Sequence, residues 1–79
     1  MTPAAQLVEY LARRLVETPG EVRVEEDEDE GHLVIRLYVA EDDVGRVIGR
    51  GGRIVRALRT VVRACGARED RRVVLEIAE

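Results

Sequence analysis

Residues 44–58 read VGRVIGRGGRIVRAL, and this stretch decides the fold. Within it, Gly49 and Gly52 enclose two residues between a short apolar segment and a longer amphipathic one. We expect a helix on each side, so that backbone amides at the start of the second helix stay uncovered and can bind phosphate. Glycine places no Cβ in the way of an approaching sugar-phosphate backbone, and guanidinium groups match phosphate geometry. The stretch therefore predicts two helices joined by a phosphate-binding turn.

The segment after the turn is predicted to be an amphipathic helix. At 100° per residue from Arg53, one stripe spans about 80° to 200° around the axis and holds Ile54, Val55, Leu58, Val61, Val62 and Cys65. A second stripe spans about 240° to 340° and holds Arg56, Arg59, Thr60 and Arg63. The apolar stripe is expected to pack on a sheet, which makes Cys65 a small core residue rather than a reactive thiol. Gly66 is predicted to be the C-cap.

The remaining residues supply three strands and another helix. Residues 3–17 are predicted to be helical, with Thr2 as the N-cap. Further segments are a short strand at 21–26, a solvated turn at 27–31, a strand at 33–40, a short helix from Val44 to about Ile48 and a strand at 72–77. The carboxylates of residues 41–43 are expected to cap that short helix. The order α-β-β-α-α-β predicts a single α+β domain over residues 1–79, with a three-stranded sheet covered on one face by helices.

The composition favours a binding domain over an enzyme. The 79 residues, 46% apolar and 37% charged, suit one small globular domain. One cysteine and one histidine exclude an internal disulfide and a zinc site, and there is no serine nucleophile. We therefore predict no enzymatic activity, no metal and no cofactor. No apolar run matches a membrane span, and the N-terminal segment carries charges, so a cytoplasmic protein away from membranes is expected.

The net charge of −3 conceals an asymmetry along the chain. Residues 1–43 contain four arginines and twelve acids, a balance of −8, whereas residues 44–72 contain nine arginines and two acids, a balance of +7. The last seven residues contribute −2. A polyanion would therefore bind the surface of residues 44–72 and be repelled by much of the rest.

Other glycine-rich loops do not fit this spacing. A Walker loop ends in Gly-Lys-Ser/Thr, and the chain has no lysine. A dinucleotide-binding fingerprint starting at Gly49 needs a glycine where Ile54 stands, and it follows a strand rather than a helix.

The stretch VIGRGGRIVRAL resembles the Ile-Gly-x-x-Gly signature of the KH domain, and the element order matches the type II, prokaryotic KH topology. The similarity extends to EYLARRLVETPGEVRV before it and EDRRVVLEIAE after it, so nearly the whole chain is similar to the small single-domain bacterial KH proteins of the KhpA type. The acidic run Glu25 to Glu30 departs from that pattern.

The resemblance implies binding of single-stranded RNA, because the GxxG loop of KH domains clamps the backbone of about four nucleotides. It assigns the clamp to Gly49, Arg50, Gly51 and Gly52. It assigns the apolar groove floor to Val44, Val47, Ile48, Ile54 and Val55, and the contact with base edges to the edge of the strand Leu33–Ala40. The last four of these apolar residues cannot all face the groove, and we expect at least Ile54 or Val55 to lie in the core. Position and charge add Arg46, Arg53 and Arg56 to the expected RNA-binding residues.

The resemblance also implies partners, namely self-association as a homodimer and pairing with a larger Jag-type KH protein as a heterodimer. RNA turnover, chaperoning of RNA and control of cell division and envelope growth all suit such a module. With two tyrosines and no other aromatic residue, base stacking contributes little, so affinity is expected to be about micromolar or weaker and low in sequence specificity. The alternative function is a protein–protein adaptor that keeps the KH fold with little RNA binding of its own.

Overall fold

The six predicted helices and strands form in the predicted order in a computed structural model that describes residues 1–78, so the last residue of the expected domain, Glu79, lies outside the described residues. The elements are α1 (Pro3–Leu15), β1 (Arg23–Asp29), β2 (His32–Tyr38), α2 (Val44–Ile48), α3 (Arg53–Arg68) and β3 (Arg72–Ile77). Single turns of 3-10 helix occupy Pro19–Glu21, Glu41–Asp43 and Arg50–Gly52. This is the α+β fold expected of a type II KH domain.

The sheet is mixed and has the order β1-β2-β3. β1 pairs with β2 antiparallel, with Val24 opposite Leu37, and β2 pairs with β3 parallel, with Ile35 opposite Leu75. The expectation that the edge of the strand Leu33–Ala40 faces the base edges is therefore wrong, since β2 is the central strand and both its edges are hydrogen-bonded to neighbouring strands. The free edges of the sheet belong to β1 and β3.

The acidic run is a strand and not the solvated turn that was expected. Residues 27–29 continue β1 and pair with residues 32–34 of β2. The turn is only Glu30 and Gly31, whose φ angles of 52° and 82° fit a two-residue hairpin turn. The sequence does not reveal that β1 continues through residues 27–29, because both faces of this part of the strand are exposed and no alternation of apolar residues marks it.

The hydrophobic core lies between one face of the sheet and the helices. β2 directs Leu33, Ile35 and Leu37 inward, all at most 3% exposed, where they meet Val8 and Ala12 of α1 and Leu58 and Val62 of α3. The Thr2 hydroxyl accepts a hydrogen bond from the Ala5 amide at 3.2 Å, which confirms the predicted N-cap of α1. α1 ends two residues earlier than predicted, because Val16 is already extended.

α3 runs past Gly66 to Arg68, so the prediction of a C-cap at Gly66 is wrong. Gly66 is buried where α3 crosses β3, and a Cβ there would lie 2.8 Å from Cγ2 of Val73. The glycine serves the close approach of helix and strand. Cys65 is half-buried and packs against the core, as predicted. No helix among residues 1–78 is long and apolar enough to cross a membrane.

Candidate functional site

The turn between α2 and α3 has a backbone that requires glycine. Gly49, Gly51 and Gly52 have φ angles of 77°, 63° and 78°. At Gly49 the ψ angle is 169°, a region that residues with a side chain hardly ever adopt. A Cβ at Gly49 would also lie 2.9 Å from the Ile54 amide nitrogen. We call Gly49–Gly52 the glycine loop.

Two amides of the glycine loop are free to bind a ligand. The Gly49 amide donates to the Gly45 carbonyl at 2.9 Å, and the Gly52 amide donates to the Gly49 carbonyl at 3.1 Å. The amides of the two residues between them, Arg50 and Gly51, donate to no backbone or side-chain acceptor among residues 1–78. Both residues are exposed. The loop therefore presents adjacent N–H donors to solvent next to a guanidinium group.

The arginines around the loop fall into two groups. The side chains of Arg50, Arg53 and Arg56 are exposed and make no ion pair with any described carboxylate. Arg46 instead pairs with Glu17 at 2.8 Å and with Asp43 at 3.0 Å. The first three guanidinium groups are available to an anion, whereas the charge of Arg46 is already balanced by two carboxylates.

Asp43 is a buried carboxylate that holds α2 in place. Its side chain is 2% exposed and accepts hydrogen bonds from the Glu17 and Thr18 amides, each at 3.1 Å. Asp43 occupies the N-cap position of α2, as expected, but its carboxylate makes no hydrogen bond to the start of that helix. The Glu17 amide above all, then the Thr18 amide and the Arg46 guanidinium, lower the pKa of Asp43 below its ordinary value of 3.8, against the opposing effect of burial. The segment after α1 is thereby tied to the helix that leads into the glycine loop.

The predicted groove residues do not all face one groove. Val47 is fully buried in the core, so its assignment to the groove floor is corrected to a supporting position beneath it. Val55 is 7% exposed, and Ile54 faces α1 with Leu11 and Leu15, so neither supplies the accessible floor. Val44 and Ile48 are half-buried and one helical turn apart. Val44 lines a cleft at the ends of β2 and β3, together with Tyr38, Val39, Glu41 and Ala78.

The free edge of β3 is a part of the candidate site that the sequence did not reveal. The Ala78 amide donates to the Leu37 carbonyl of β2, so the backbone groups of alternate residues Val73, Leu75 and Ile77 face away from β2. The Leu75 carbonyl accepts a hydrogen bond from Arg59 Nε at 3.4 Å. The sequence did place Arg59 in the predicted arginine stripe, one turn after Arg56, and this position could have indicated that Arg59 lies near the loop. The order of the strands was the missing information.

Comparison with known proteins places this geometry in a family. A family model described as KhpA/KhpB, KH domain, matches residues 5–77. The chain belongs to the KhpA/KhpB family of KH domains. Its relatives include proteins named RNA-binding protein KhpA from Clostridium acetobutylicum and Aquifex aeolicus. The first is 47% identical over 91% of this chain and 96% of its own length, and the second is 47% identical over 100% of both chains.

A third KhpA relative, from Treponema pallidum, is 46% identical over 100% of this chain and 99% of its own length. These members of the family are named for binding RNA and not for catalysis, in agreement with the prediction that the chain is not an enzyme.

Solved structures of Era contain the same fold. A crystal structure of Aquifex aeolicus Era bound to GDP and aluminium fluoride matches with a TM-score of 0.63 and 26% identity, over 94% of this chain. A structure of Era in complex with MgGDPNP and nucleotides 1506–1542 of 16S ribosomal RNA matches with the same TM-score and identity. This chain spans 29% and 28% of those two chains, so the likeness concerns one domain of Era.

Proposed function

We propose that the chain binds single-stranded RNA by clamping its sugar-phosphate backbone at the glycine loop. The observation that carries this proposal is the pair of free amides at Arg50 and Gly51, placed among the unpaired guanidinium groups of Arg50, Arg53 and Arg56. Amide donors and guanidinium groups together bind phosphate oxygens. The names of the KhpA relatives and the RNA in the Era complex support RNA as the polyanion.

The bases would lie against the apolar surface beside the loop. Val44 and Ile48 offer half-buried aliphatic contacts. The outward amides of Leu75 and Ile77 and the Ile77 carbonyl offer donors and an acceptor for base edges, whereas the Leu75 carbonyl already accepts from Arg59. Arg46 contributes less than was expected from its position, since Glu17 and Asp43 already hold it. With two or three phosphates bound, the logarithm of the binding constant should fall with the logarithm of salt concentration with a slope of about −0.7 per phosphate.

Fluorescence anisotropy with labelled single-stranded RNA at two salt concentrations tests the clamp. The variant combines Arg50→Asp with Gly51→Asp, which adds negative charge to the loop. A Cβ at Gly51 would meet no other atom within 4 Å, and aspartate tolerates its left-handed backbone, so the fold should persist, as circular dichroism can check. We expect salt-sensitive binding by the wild type and its loss in the variant.

A matched control carries the same charge change away from the loop. Arg68→Asp with Gly20→Asp alters one exposed arginine at the end of α3 and one exposed glycine after α1. Equal binding by wild type and loop variant, or equal loss in the control, would contradict the clamp. Binding by an isolated monomer to arbitrary RNA at nanomolar concentrations would contradict the expected weak, low-specificity interaction.

A second candidate function, a protein–protein contact, is favoured by an apolar groove between α1 and α3. It lies on the side of α3 away from Arg59 and is lined by Leu11, Arg14, Leu15, Ile54, Ala57, Leu58 and Val61. Self-association there would leave the glycine loop of each copy free, and two linked RNA-binding units bind a strand more tightly than one. A Jag-type KH protein is the alternative occupant, and a cytoplasmic location suits both. Sedimentation velocity would show a dimer, and a monomer at all concentrations would exclude self-association.

A further inference from the structure

The strand β1 lies at the edge of the sheet opposite to β3, and its free side carries unpaired backbone groups. The Ala78 amide donates to the Leu37 carbonyl, so the backbone groups of Leu37 face β3 and not β1. Val24 stands opposite Leu37, so its own N–H and C=O face away from β2. Antiparallel pairing repeats every two residues, and Glu26 and Glu28 are therefore oriented in the same way. The amides and carbonyls of these three residues point to the free edge, and none bonds another backbone group among residues 1–78.

β1 restricts the addition of another strand by its charge rather than by its backbone. Natural sheet edges are often protected by a very short strand, a proline or a bulge. β1 has seven residues and no proline, and it pairs with β2 in one unbroken register from Arg23 to Asp29. Every residue from Glu25 to Glu30 is acidic. The charge therefore decides which strand can pair at this edge.

The acidic side chains of β1 form a row on the outer face of the sheet. Val24 packs toward the core, so Glu25, Asp27 and Asp29 share the opposite face, where all three are exposed. Neighbours in this row are two residues apart, which corresponds to about 7 Å along a strand. The row has the same spacing as alternate side chains of any strand that would pair beside it.

The edge stays negative after its own arginines are counted. Three arginines form ion pairs with acids of this strand, namely Arg23, Arg36 and Arg71. Six acids at positions 25–30 against these three arginines leave a balance of −3. The side chains of Glu25 and Asp27 remain 48% and 60% exposed, and exposed ion pairs of this kind are weak. The carboxylates can therefore also bind the cations of a partner.

These features select the kind of strand that fits. A second copy of β1 is excluded, because its acids would lie directly opposite the acids of the first. The β3 edge of a second copy fits poorly, since Arg59 already bonds the Leu75 carbonyl there. A strand with lysine or arginine at alternate positions would place its cations along the acidic row while its backbone pairs with the free groups of β1.

We propose that the free edge of β1 docks an extended basic segment of a partner protein, which adds a fourth strand to the sheet. The site goes beyond RNA binding, because it recognises a protein segment with positive charges at alternate positions. β1 and β3 are opposite edges separated by β2, so the docked segment leaves the free edge of β3 uncovered. One chain can therefore hold RNA and a basic protein segment at the same time.

NMR spectroscopy of the nitrogen-15-labelled protein tests the proposal with three synthetic peptides, each blocked at both ends. The first alternates threonine and lysine over seven residues, the length of β1. The second has the same composition with its lysines in one block, so its charge is matched and the alternation is lost. The third carries glutamate in place of lysine.

We expect the alternating lysine peptide at saturation to protect three amides from hydrogen exchange, those of Val24, Glu26 and Glu28. The amides of Glu25 and Asp27 already bond to β2, so their protection should change little. The block peptide should bind several-fold more weakly, and the glutamate peptide should not bind. Binding without protection of the three amides would reveal ionic contact alone and would overturn the proposal, as would equal binding of the two lysine peptides.

The variants Glu28→Pro and Glu28→Gln separate the backbone from the charge. Both remove the carboxylate, but only proline removes the outward amide, and proline is tolerated on the free side of an edge strand. The proline variant should bind the alternating peptide about fivefold more weakly than the glutamine variant, the effect of one hydrogen bond. Equal binding by the two variants, with the resonances of β2 unchanged, would rule out strand addition.

The variant Asp27→Asn with Asp29→Asn tests the charge and leaves the backbone as it is. It should bind the alternating peptide several-fold more weakly than the wild type. Glu9→Gln with Glu21→Gln removes the same charge outside β1 and should bind like the wild type. An equal loss in this control would indicate general attraction to an acidic protein and no docking site. Shifts of the β1 amides that depend on protein concentration without peptide would identify a second copy as the occupant, which would equally refute the proposal.

Discussion

At the scale of single residues, glycine can be required for two reasons, a positive φ angle and lack of space for a Cβ atom, and positions in and near the glycine loop differ in which of the two applies. Gly49 combines a positive φ angle with contact to Ile54, so a side chain there meets both backbone strain and a clash. Gly51 has a positive φ angle but open space around it. Gly45, one helical turn before Gly49 in α2, has neither constraint. The three positions form a graded series for alanine substitution.

We predict that the stability of the alanine variants follows this order. Gly51→Ala should lower the free energy of unfolding by about 1 kcal/mol because of left-handed strain alone. Gly49→Ala should lower it by about 3 kcal/mol or more, because its backbone region is nearly exclusive to glycine. Gly45→Ala should raise it by up to about 1 kcal/mol through helix propensity. Urea unfolding measures all three, and equal effects at Gly49 and Gly51 would contradict the structure.

The buried carboxylate of Asp43 is the second residue on which the site depends. It satisfies two backbone amides of the segment after α1 and pairs with Arg46, so it stabilises the position of α2. The sequence showed three adjacent acids but not which one would be buried. That choice is made by the tertiary contact with Glu17 and Thr18, some 25 residues earlier in the chain, and local patterns do not contain it.

Replacing Asp43 should make stability less dependent on acid pH. Because the folded-state pKa lies below the ordinary 3.8, the carboxylate contributes stability above that value, and the contribution is lost as pH falls through the folded-state pKa. We expect Asp43→Asn to lower the thermal midpoint by several degrees at pH 7. The side-chain NH₂ group of asparagine would face one of the two backbone N–H groups that the carboxylate now accepts from, so that hydrogen bond would be lost. The difference from wild type should shrink below about pH 4. A constant difference across pH, measured by circular dichroism melts, would contradict this assignment.

At the scale of elements, the sequence predicted what periodicity encodes and missed what strand pairing decides. The amphipathic helix α3, the short helix α2 and the buried alternation of β2 all follow from local apolar patterns. The acidic half of β1 has no such pattern, because its pairing with β2 is backbone hydrogen bonding between exposed residues. Gly66 is the same case, since a buried crossing of α3 over β3 and a helix end both favour glycine.

The functional site divides along the same line. The glycine loop was predicted because its chemistry is local, carried by glycines and arginines at fixed spacing. The sequence did not predict the inward position of Val47 or the free edge of β3, because both depend on how helices and strands pack together. The strand order moves the proposed base contacts from β2 to β3, and Arg59 then lies beside the candidate site.

At the scale of the whole molecule, the acidic hairpin and the arginine-rich glycine loop follow from opposite ends of β2. The segment that leads through α2 to the glycine loop leaves the carboxyl end of β2, whereas the acidic hairpin precedes its amino end. For a strand of seven residues these two ends lie about 20 Å apart. The screening length at physiological salt is about 8 Å. Acids of the hairpin therefore act on the surface near Arg72, which lies opposite His32, and are screened from the loop.

This separation predicts that removing hairpin charge affects long RNA only. Asp29→Asn with Glu30→Gln should tighten binding of an oligonucleotide of about ten residues roughly two- to threefold at physiological salt, because less repulsion opposes the phosphates that approach Arg72. Binding of an oligonucleotide of about four residues should stay the same, since it ends before the hairpin field begins. Glu9→Gln with Glu21→Gln removes the same charge elsewhere and should change neither. An equal gain for both lengths would show that net charge, and not the position of the acids along the RNA path, sets the affinity.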